Sequence, residues 1–233
     1  MDGPRSSSAP RPRQRLRRRV AVAAGLVVLV AALGLAGCSG GDDSSSAPTT
    51  TLSHGTKVEL PLGDVSAASS GPPVTVSPEQ SQAVLGVLAT YVKDAIVQPL
   101  RTAKPATADL ATIFDATTLT PATTTDRGVV FDEGLPKVTG DLEVVGQPIA
   151  MVGLGDQSGN VALVSAALSI DVKAQTATKT DPIHIVRQAD LVLAPDGGAW
   201  KITAYNMLVT REGGGLGTPT TTTASSATTR AAK

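Results

Sequence analysis

Apolar residues follow three different patterns along the chain, and each pattern predicts a different kind of element. Residues 20–37 form an uninterrupted apolar stretch rich in Ala, Val and Leu. Between residues 77 and 98, apolar side chains recur at helical spacing, which predicts an amphipathic helix. From residue 142 onwards they alternate with polar side chains, which predicts strands. Helices first and consecutive strands afterwards predict an α+β domain, with helices covering one face of a curved, antiparallel sheet of four or more strands.

The predicted N-terminal helix has start and stop signals in the sequence. Ser77 suits the N-cap, Pro78 suits the first turn, and Gln80 can reach back to complete a capping box. The apolar side chains expected to face the core are Val84, Leu88, Tyr91, Val92, Ala95 and Ile96. Pro99 predicts that the helix ends near Gln98, because proline cannot donate an intrahelical hydrogen bond.

Downstream of this helix the sequence predicts a short helix, an irregular arm and four strands. The short helix is expected at residues 108–114 and the irregular arm at residues 115–134. The strands are expected at residues 142–152, 161–172, 183–194 and 200–210. Pro148 indicates an edge or a bulge in the first of them. Asp- and Gly-rich turns before the second and fourth strands are hairpin signals.

Polar segments flank the domain predicted at residues 77–211. Residues 38–76 begin with a Gly- and Ser-rich stretch, and we expect them to form a flexible tether. Residues 212–233 are rich in Gly and Thr, and we expect them to form a disordered tail. Within the predicted domain, Trp200 is expected in the core, because a Val- and Ala-rich interior has few other large residues to fill it.

The apolar stretch at residues 20–37 follows a basic segment and ends at the only cysteine of the chain. A basic flank, an apolar core and small residues at a cleavage site define an export signal, here residues 1–37. The final residues, Leu35, Ala36, Gly37 and Cys38, resemble the lipobox of bacterial lipoproteins. That resemblance implies that the Cys38 thiol carries diacylglycerol, with palmitate as a typical fatty acid, and anchors the protein at the outer face of the cell membrane. Alternatively, the stretch is an uncleaved membrane-spanning helix, since its length is near the lower limit for spanning.

Charge and composition exclude one class of partner. The chain has 20 basic and 20 acidic residues, but seven of the arginines precede the apolar stretch. The remainder after Gly37 has 13 basic and 19 acidic residues, a net charge of −6. Nucleic-acid binding depends on clustered Lys and Arg, so we expect no nucleic-acid partner. Aromatic residues make up only 2% of the chain, so few rings are available for stacking on bases.

The order of elements and one short motif resemble the nuclear transport factor 2-like superfamily. The matching residues lie on the last predicted strand and are Gly198, Trp200, Lys201, Ile202 and Tyr205. The resemblance covers residues 78–211 and extends to exported actinobacterial proteins such as mammalian-cell-entry-associated membrane proteins. It implies a cone-like α+β domain with a pocket at the open end of the sheet. It does not imply one activity, because this scaffold hosts both enzymes and noncatalytic modules.

His184 is the main candidate for acid–base chemistry. It opens a predicted strand, and the resemblance implies a base paired with a carboxylate such as Asp171 or Asp190. The alternative is a hydrogen-bonded or surface histidine at a strand end, which we favour. The second histidine, His54, lies in the predicted tether, so we expect no metal site.

Charged residues in the predicted arm are candidates for contacts with a ligand or partner. Asp126, Arg127, Asp132 and Glu133 lie among glycines and apolar residues, and loops of this kind commonly carry function. The alternative is that they form ion pairs that fix the arm to the sheet.

Two functional hypotheses follow from the sequence. The first is a lipid-anchored, extracytoplasmic module without catalytic activity or cofactor, which binds an envelope protein or an apolar ligand. The second is a small pocket enzyme, like an isomerase or dehydratase, that uses His184 with Asp171 or Asp190.

Overall fold

A computed structural model describes residues 50–52, 55–104, 110–177 and 181–226. The predicted signal peptide, the lipobox (Leu35, Ala36, Gly37), Cys38 and His54 lie outside these residues. All described residues belong to one compact unit, Ser44–Lys233.

The described chain contains nine strands and a series of helices. The strands are β1 (Thr50–Leu52), β2 (Thr56–Glu59), β3 (Leu62–Ala68), β4 (Val138–Gly146), β5 (Ile149–Gly155), β6 (Val161–Thr176), β7 (Ile183–Asp196), β8 (Ala199–Glu212) and β9 (Thr220–Ser226). The α-helices are α1 (Pro78–Val92), α2 (Gln98–Thr102), α3 (Ala116–Thr123) and α4 (Arg127–Val130). A π-helical turn, Lys93–Val97, joins α1 to α2, and a 3₁₀ turn spans Leu110–Thr112.

The strands form one open, mainly antiparallel sheet. Strands β6, β7, β8 and β9 are consecutive antiparallel neighbours. On the other side of β6, β4 pairs with one half of that strand and β5 with the other half. Strands β2 and β3 then add in parallel to β4 and β5, respectively. The structure confirms the prediction of an α+β fold with a large, mainly antiparallel sheet.

Helix α1 packs against one face of the sheet and begins as the sequence predicts. Ser77 is the N-cap and forms both hydrogen bonds of the capping box with Gln80. Rings from α1, from Phe114 after the 3₁₀ turn and from β8 meet edge to face: Phe114 lies 6.1 Å from Tyr91 and 6.3 Å from Tyr205. These three side chains are buried and fill the space between helix and sheet.

The predicted end of this helix is wrong. Helical backbone continues through the π turn and α2, so that Pro99 lies inside a helical run, Pro78–Thr102. Pro99 has no N–H to donate to the carbonyl of Ala95, and the backbone N–H of Asp132 donates to that carbonyl instead, at 2.9 Å. Because the arm supplies the missing donor, the proline does not end the helix.

This helical run is the only one among the described residues that is apolar and long enough to cross a membrane. It has 25 residues, and its most apolar 18-residue window has a mean hydropathy of 1.3. Within its most apolar window, 56% of the helix is buried inside the protein, as in the core helix of a folded domain.

The predicted domain limits were too narrow at both ends. Strand β2 lies in the predicted tether, where Thr56 is buried and accepts hydrogen bonds from Arg101 of α2. Strand β9 lies in the predicted disordered tail, pairs with β8 along seven residues and buries Ala224. The expectation of disorder was therefore wrong for these strands. Exposed and buried side chains alternate along β2, whereas β9 buries Ala224 alone, and backbone pairing stabilises both strands.

The structure also differs from three local predictions. The first predicted strand is two strands, β4 and β5, which are interrupted at Gln147 and Pro148. The arm predicted to be irregular contains α3 and α4, and Asp115 caps α3 by accepting a hydrogen bond from Thr118. Trp200, expected in the core, is only partly buried and packs against the edge of the core.

Candidate functional site

The arm carries a carboxylate that is buried between two arginines of the sheet. Asp132 follows α4 and is 1% exposed. One of its carboxylate oxygens accepts a hydrogen bond from Arg187 of β7 at 3.0 Å, and the other accepts one from Arg211 of β8 at 2.7 Å. Because burying an unpaired charge is costly, these two contacts fix the position of the arm on the sheet.

Arg187 is the largest fully buried side chain among the described residues. Its guanidinium donates to the Tyr91 hydroxyl at 2.9 Å and to the Val129 carbonyl at 2.8 Å. Burial alone would lower the pKa of Arg187, but Asp132 and Tyr91 outweigh that effect and the pKa is raised. Its Nε–H lacks a hydrogen-bond partner in the described residues. The charged side chain of Arg187 therefore links α1, the arm and the sheet through its hydrogen bonds and its ion pair.

The other three candidate residues of the arm, Asp126, Arg127 and Glu133, also have partners within the domain. Arg127 forms a bidentate ion pair with Glu133, at 2.9 and 2.7 Å, and lies over the ring of Phe131. Asp126 accepts a hydrogen bond from the Tyr205 hydroxyl at 2.7 Å. Asp126 and Asp132 thus contact residues of the sheet, as the alternative of an arm fixed to the sheet requires, whereas Arg127 and Glu133 pair with each other inside the arm.

His184 lies on the face of the sheet opposite α1, between two carboxylates. Its Nε2 lies 3.0 Å from Asp171 of β6, and its Nδ1 lies 2.5 Å from Glu212 of β8. Glu212 raises the pKa of His184 above its usual value, burial opposes this shift, and Asp171 adds to it. All three side chains are partly exposed to solvent. Both ring nitrogens are therefore occupied, and the arrangement favours a protonated imidazole.

Asp190 does not pair with His184, although the sequence analysis offered it as one of two partners. Both residues lie on β7, six positions apart, which separates them by ~20 Å along an extended strand. Asp190 is exposed and lines a different part of the sheet surface. The structure therefore brings together only His184 and Asp171 of the proposed pairs.

The sheet surface around Asp190 is not covered by any described element. A row of small or polar residues crosses five strands in register, and every member of the row is exposed: Ala150, Ala167, Asp190, Asn206 and Ser225. Beside this row, Val152, Leu154 and Leu208 expose between 39% and 42% of their surface. We call this surface of β5–β9 the outer face.

A groove of about 760 Å³ lies at one end of the outer face. Val192 and Ala204 contribute apolar surface to it, and the first residues of α3 border it. Three carboxylates line the groove: Asp115, Asp190 and Asp196. We call it the acidic groove. A smaller groove of about 480 Å³ adjoins His184 at the opposite end of β7.

The two buried arginines were missed by the sequence analysis, although the sequence contains a signal for one of them. Ile183, Ile185, Ala189 and Leu191 alternate with polar residues on β7, and Arg187 falls on their buried face. A charged residue in an apolar stripe indicates a buried partner of opposite charge. Which carboxylate pairs with it depends on how the arm folds, and the strand pattern contains no information on that.

No protein-family model, curated protein or solved structure matches this chain. Within the described ranges, no group of three or more His, Cys, Asp or Glu side chains is arranged to hold a metal ion.

Proposed function

We propose that the protein is a lipid-anchored module at the outer face of a cell membrane, and that its outer sheet face binds an envelope protein. This proposal rests on the exposed row of small or polar residues, which is flanked by Val152, Leu154 and Leu208. Small side chains let another backbone approach closely, and the apolar side chains exposed on both sides of the row add surface that a partner can bury. The four candidate charged residues of the arm have partners inside the domain, so we propose the outer face instead as the binding surface.

The proposed anchor rests on the sequence around Cys38. A basic segment, an apolar stretch and Leu35, Ala36 and Gly37 precede this cysteine. Two fatty-acid chains give stable membrane attachment, because each buried methylene contributes ~0.8 kcal/mol. Cells that express the wild type should incorporate labelled palmitate into the protein, and the Cys38→Ala variant should remain unlabelled. Equal labelling of the two proteins would contradict the lipid anchor.

We further propose that the domain adopts the cone-like arrangement of the nuclear transport factor 2-like superfamily. The long helix against one sheet face and the hairpin before Trp200 support this proposal. Gly197 and Gly198 form that hairpin with φ angles of +60° and +88°, as a two-residue turn requires. In this domain, the rings of Tyr91, Phe114 and Tyr205 occupy the space between helix and sheet. This packing favours binding at the outer face over binding in an internal pocket.

The contact between His184 and Asp171 favours a second candidate, the small pocket enzyme. A general base must be unprotonated to accept a proton. The pairing of His184 with Glu212 as well as Asp171 stabilises the protonated ring. We therefore propose the binding module ahead of the enzyme. Turnover of a copurified ligand by the wild type, lost in a folded His184→Ala variant, would reverse this order.

Substitution at the centre of the outer face tests the binding proposal. Ala167 is an exposed member of the row with a neighbour on each side, so Ala167→Arg should block a close partner without disturbing the core. Gly86 on α1 is also exposed, and a Cβ there would meet nothing within 4 Å, which makes Gly86→Arg a matched control. After crosslinking in cells, Ala167→Arg should lose a specific partner that the control retains. Retention by both variants would show that the partner does not bind the outer face.

A further inference from the structure

The edge of β8 that pairs with β9 meets the segment before α3 three residues beyond the last described pair. Ser226, the final residue of β9, pairs with Tyr205 of β8. Three positions further along β8, Ile202 donates to the carbonyl of Ile113 at 2.8 Å and accepts from the N–H of Asp115 at 3.1 Å. The edge of β8 is therefore already occupied at Ile202.

The last described residues of β9 lie at the acidic groove. Ser225 and Ser226 both line it, together with Asp115 and Asp190. The side chain of Ser225 belongs to the exposed row of the outer face. Asp190 makes no ion pair among the described residues, whereas Asp196 pairs with Lys201 at 2.9 Å. The groove thus presents uncompensated negative charge beside the end of β9.

Residues 227–233 have the complementary chemistry. Arg230 and Lys233 are the only charged side chains among them, and both are basic. The other five residues are alanine or threonine, which are small enough to lie against the apolar surface of Val192 and Ala204. Seven extended residues reach ~23 Å, which is enough to cross several neighbouring strands.

We propose that residues 227–233 bind in the acidic groove of the same chain, with Arg230 and Lys233 placed next to its carboxylates. The groove overlaps one end of the outer face, so the bound segment competes there with a partner protein. The inference does not rest on the proposed function, because it concerns the isolated protein.

Carbodiimide crosslinking of the purified full chain tests this proposal, since the reagent joins lysine amines directly to neighbouring carboxylates. Lys233 should link to Asp115, Asp190 or Asp196, and not to the exposed Asp64 or the partly exposed Asp156. In an equal mixture of unlabelled and ¹⁵N-labelled protein, the links should join residues of the same chain. Arg230→Glu should reduce them about tenfold, because it replaces attraction by repulsion, whereas Thr229→Ser should leave them unchanged.

Three results would overturn the proposal. The first is linkage of Lys233 to Asp64 and Asp156 as often as to the groove. The second is linkage between labelled and unlabelled chains, which would assign the segment to a second copy. The third is an Arg230→Glu variant with unchanged crosslinking. None of these results bears on partner binding, so the proposed function is tested separately.

Discussion

At the scale of single residues, the free energy of the buried charges depends on their pairing. Asp132 and Arg187 each have a side-chain exposure of 0%. Taking such charges out of water is expensive, and their attraction offsets the cost only while both partners are present. Removing one partner is therefore far more harmful than its hydrogen bonds alone would indicate.

Asp132→Ala should lower the free energy of unfolding by ~3–5 kcal/mol, because Arg187 and Arg211 would remain buried without their carboxylate. Glu133→Gln is the matched control, since its ion pair with Arg127 is partly exposed and should contribute less than ~1 kcal/mol. Urea unfolding followed by circular dichroism measures both values. Similar losses in the two variants would contradict the structural role of Asp132.

His184 should titrate above the usual histidine pKa of ~6.5, because Glu212 and Asp171 stabilise the protonated ring. A pKa that is raised in the folded state adds stability that is fully present below ~6.5 and is lost as the pH rises through the folded-state value. NMR titration should show that Glu212→Gln lowers the pKa more than Asp171→Asn does. A wild-type pKa at or below ~6.5 would contradict the double pairing.

Phe114→Ala should destabilise the domain more than Trp200→Ala. Phe114 is fully buried between two rings, so its removal should cost ~3–5 kcal/mol. Trp200 is partly buried, and its removal should cost ~1–2 kcal/mol. Thermal unfolding of both variants measures the difference. A larger loss of stability in Trp200→Ala than in Phe114→Ala would show that Trp200 belongs to the core.

At the scale of elements, deletion of β9 should have a much larger effect than deletion of the residues after it. Removing residues 213–233 eliminates seven cross-strand pairs, which contribute roughly 0.2–1 kcal/mol each, and should cost on the order of 2–4 kcal/mol. Removing residues 227–233 should change the free energy of unfolding by less than ~1 kcal/mol, as for exposed ion pairs. Equal stability of the two truncated proteins would show that β9 does not belong to the folded sheet.

The elements that local signals specify were predictable from the sequence. The capping box at Ser77 and the alternation along β6 and β7 correctly predicted a helix start and two strands. The continuation past Pro99 was not predictable, because it depends on a hydrogen bond from Asp132, which is distant in sequence. Strand β9 was missed because its Thr- and Ser-rich sequence resembles a disordered tail, while its stability comes from pairing with β8.

The candidate site was predictable only in part, for a similar reason. The sequence analysis named Asp171 as a possible partner of His184, which the structure shows, but it named Asp190 as an equal alternative. Strand register decides between them, since Lys173 lies opposite His184 and Asp171 is two residues away on the same face. Register between strands follows from the packing of the whole sheet.

At the scale of the whole molecule, one face of the sheet is covered by helices and the other is exposed. Helix α1 and the arm bury one face, and the buried ion pairs of Asp132 hold the arm in place. The outer face exposes Val152, Leu154 and Leu208 among small and polar residues. Such a division of roles is expected of a module that folds on one side of its sheet and binds with the other.

A photocrosslinking residue placed at position 208 tests this division most directly. Leu208 lies on the outer face and Gly86 on the opposite, helical side, and both are exposed. In cells that naturally make the protein, position 208 should give a discrete crosslinked product with another envelope protein, and position 86 should not. The same products at both positions, or a discrete product only at position 86, would contradict the outer face as the binding surface.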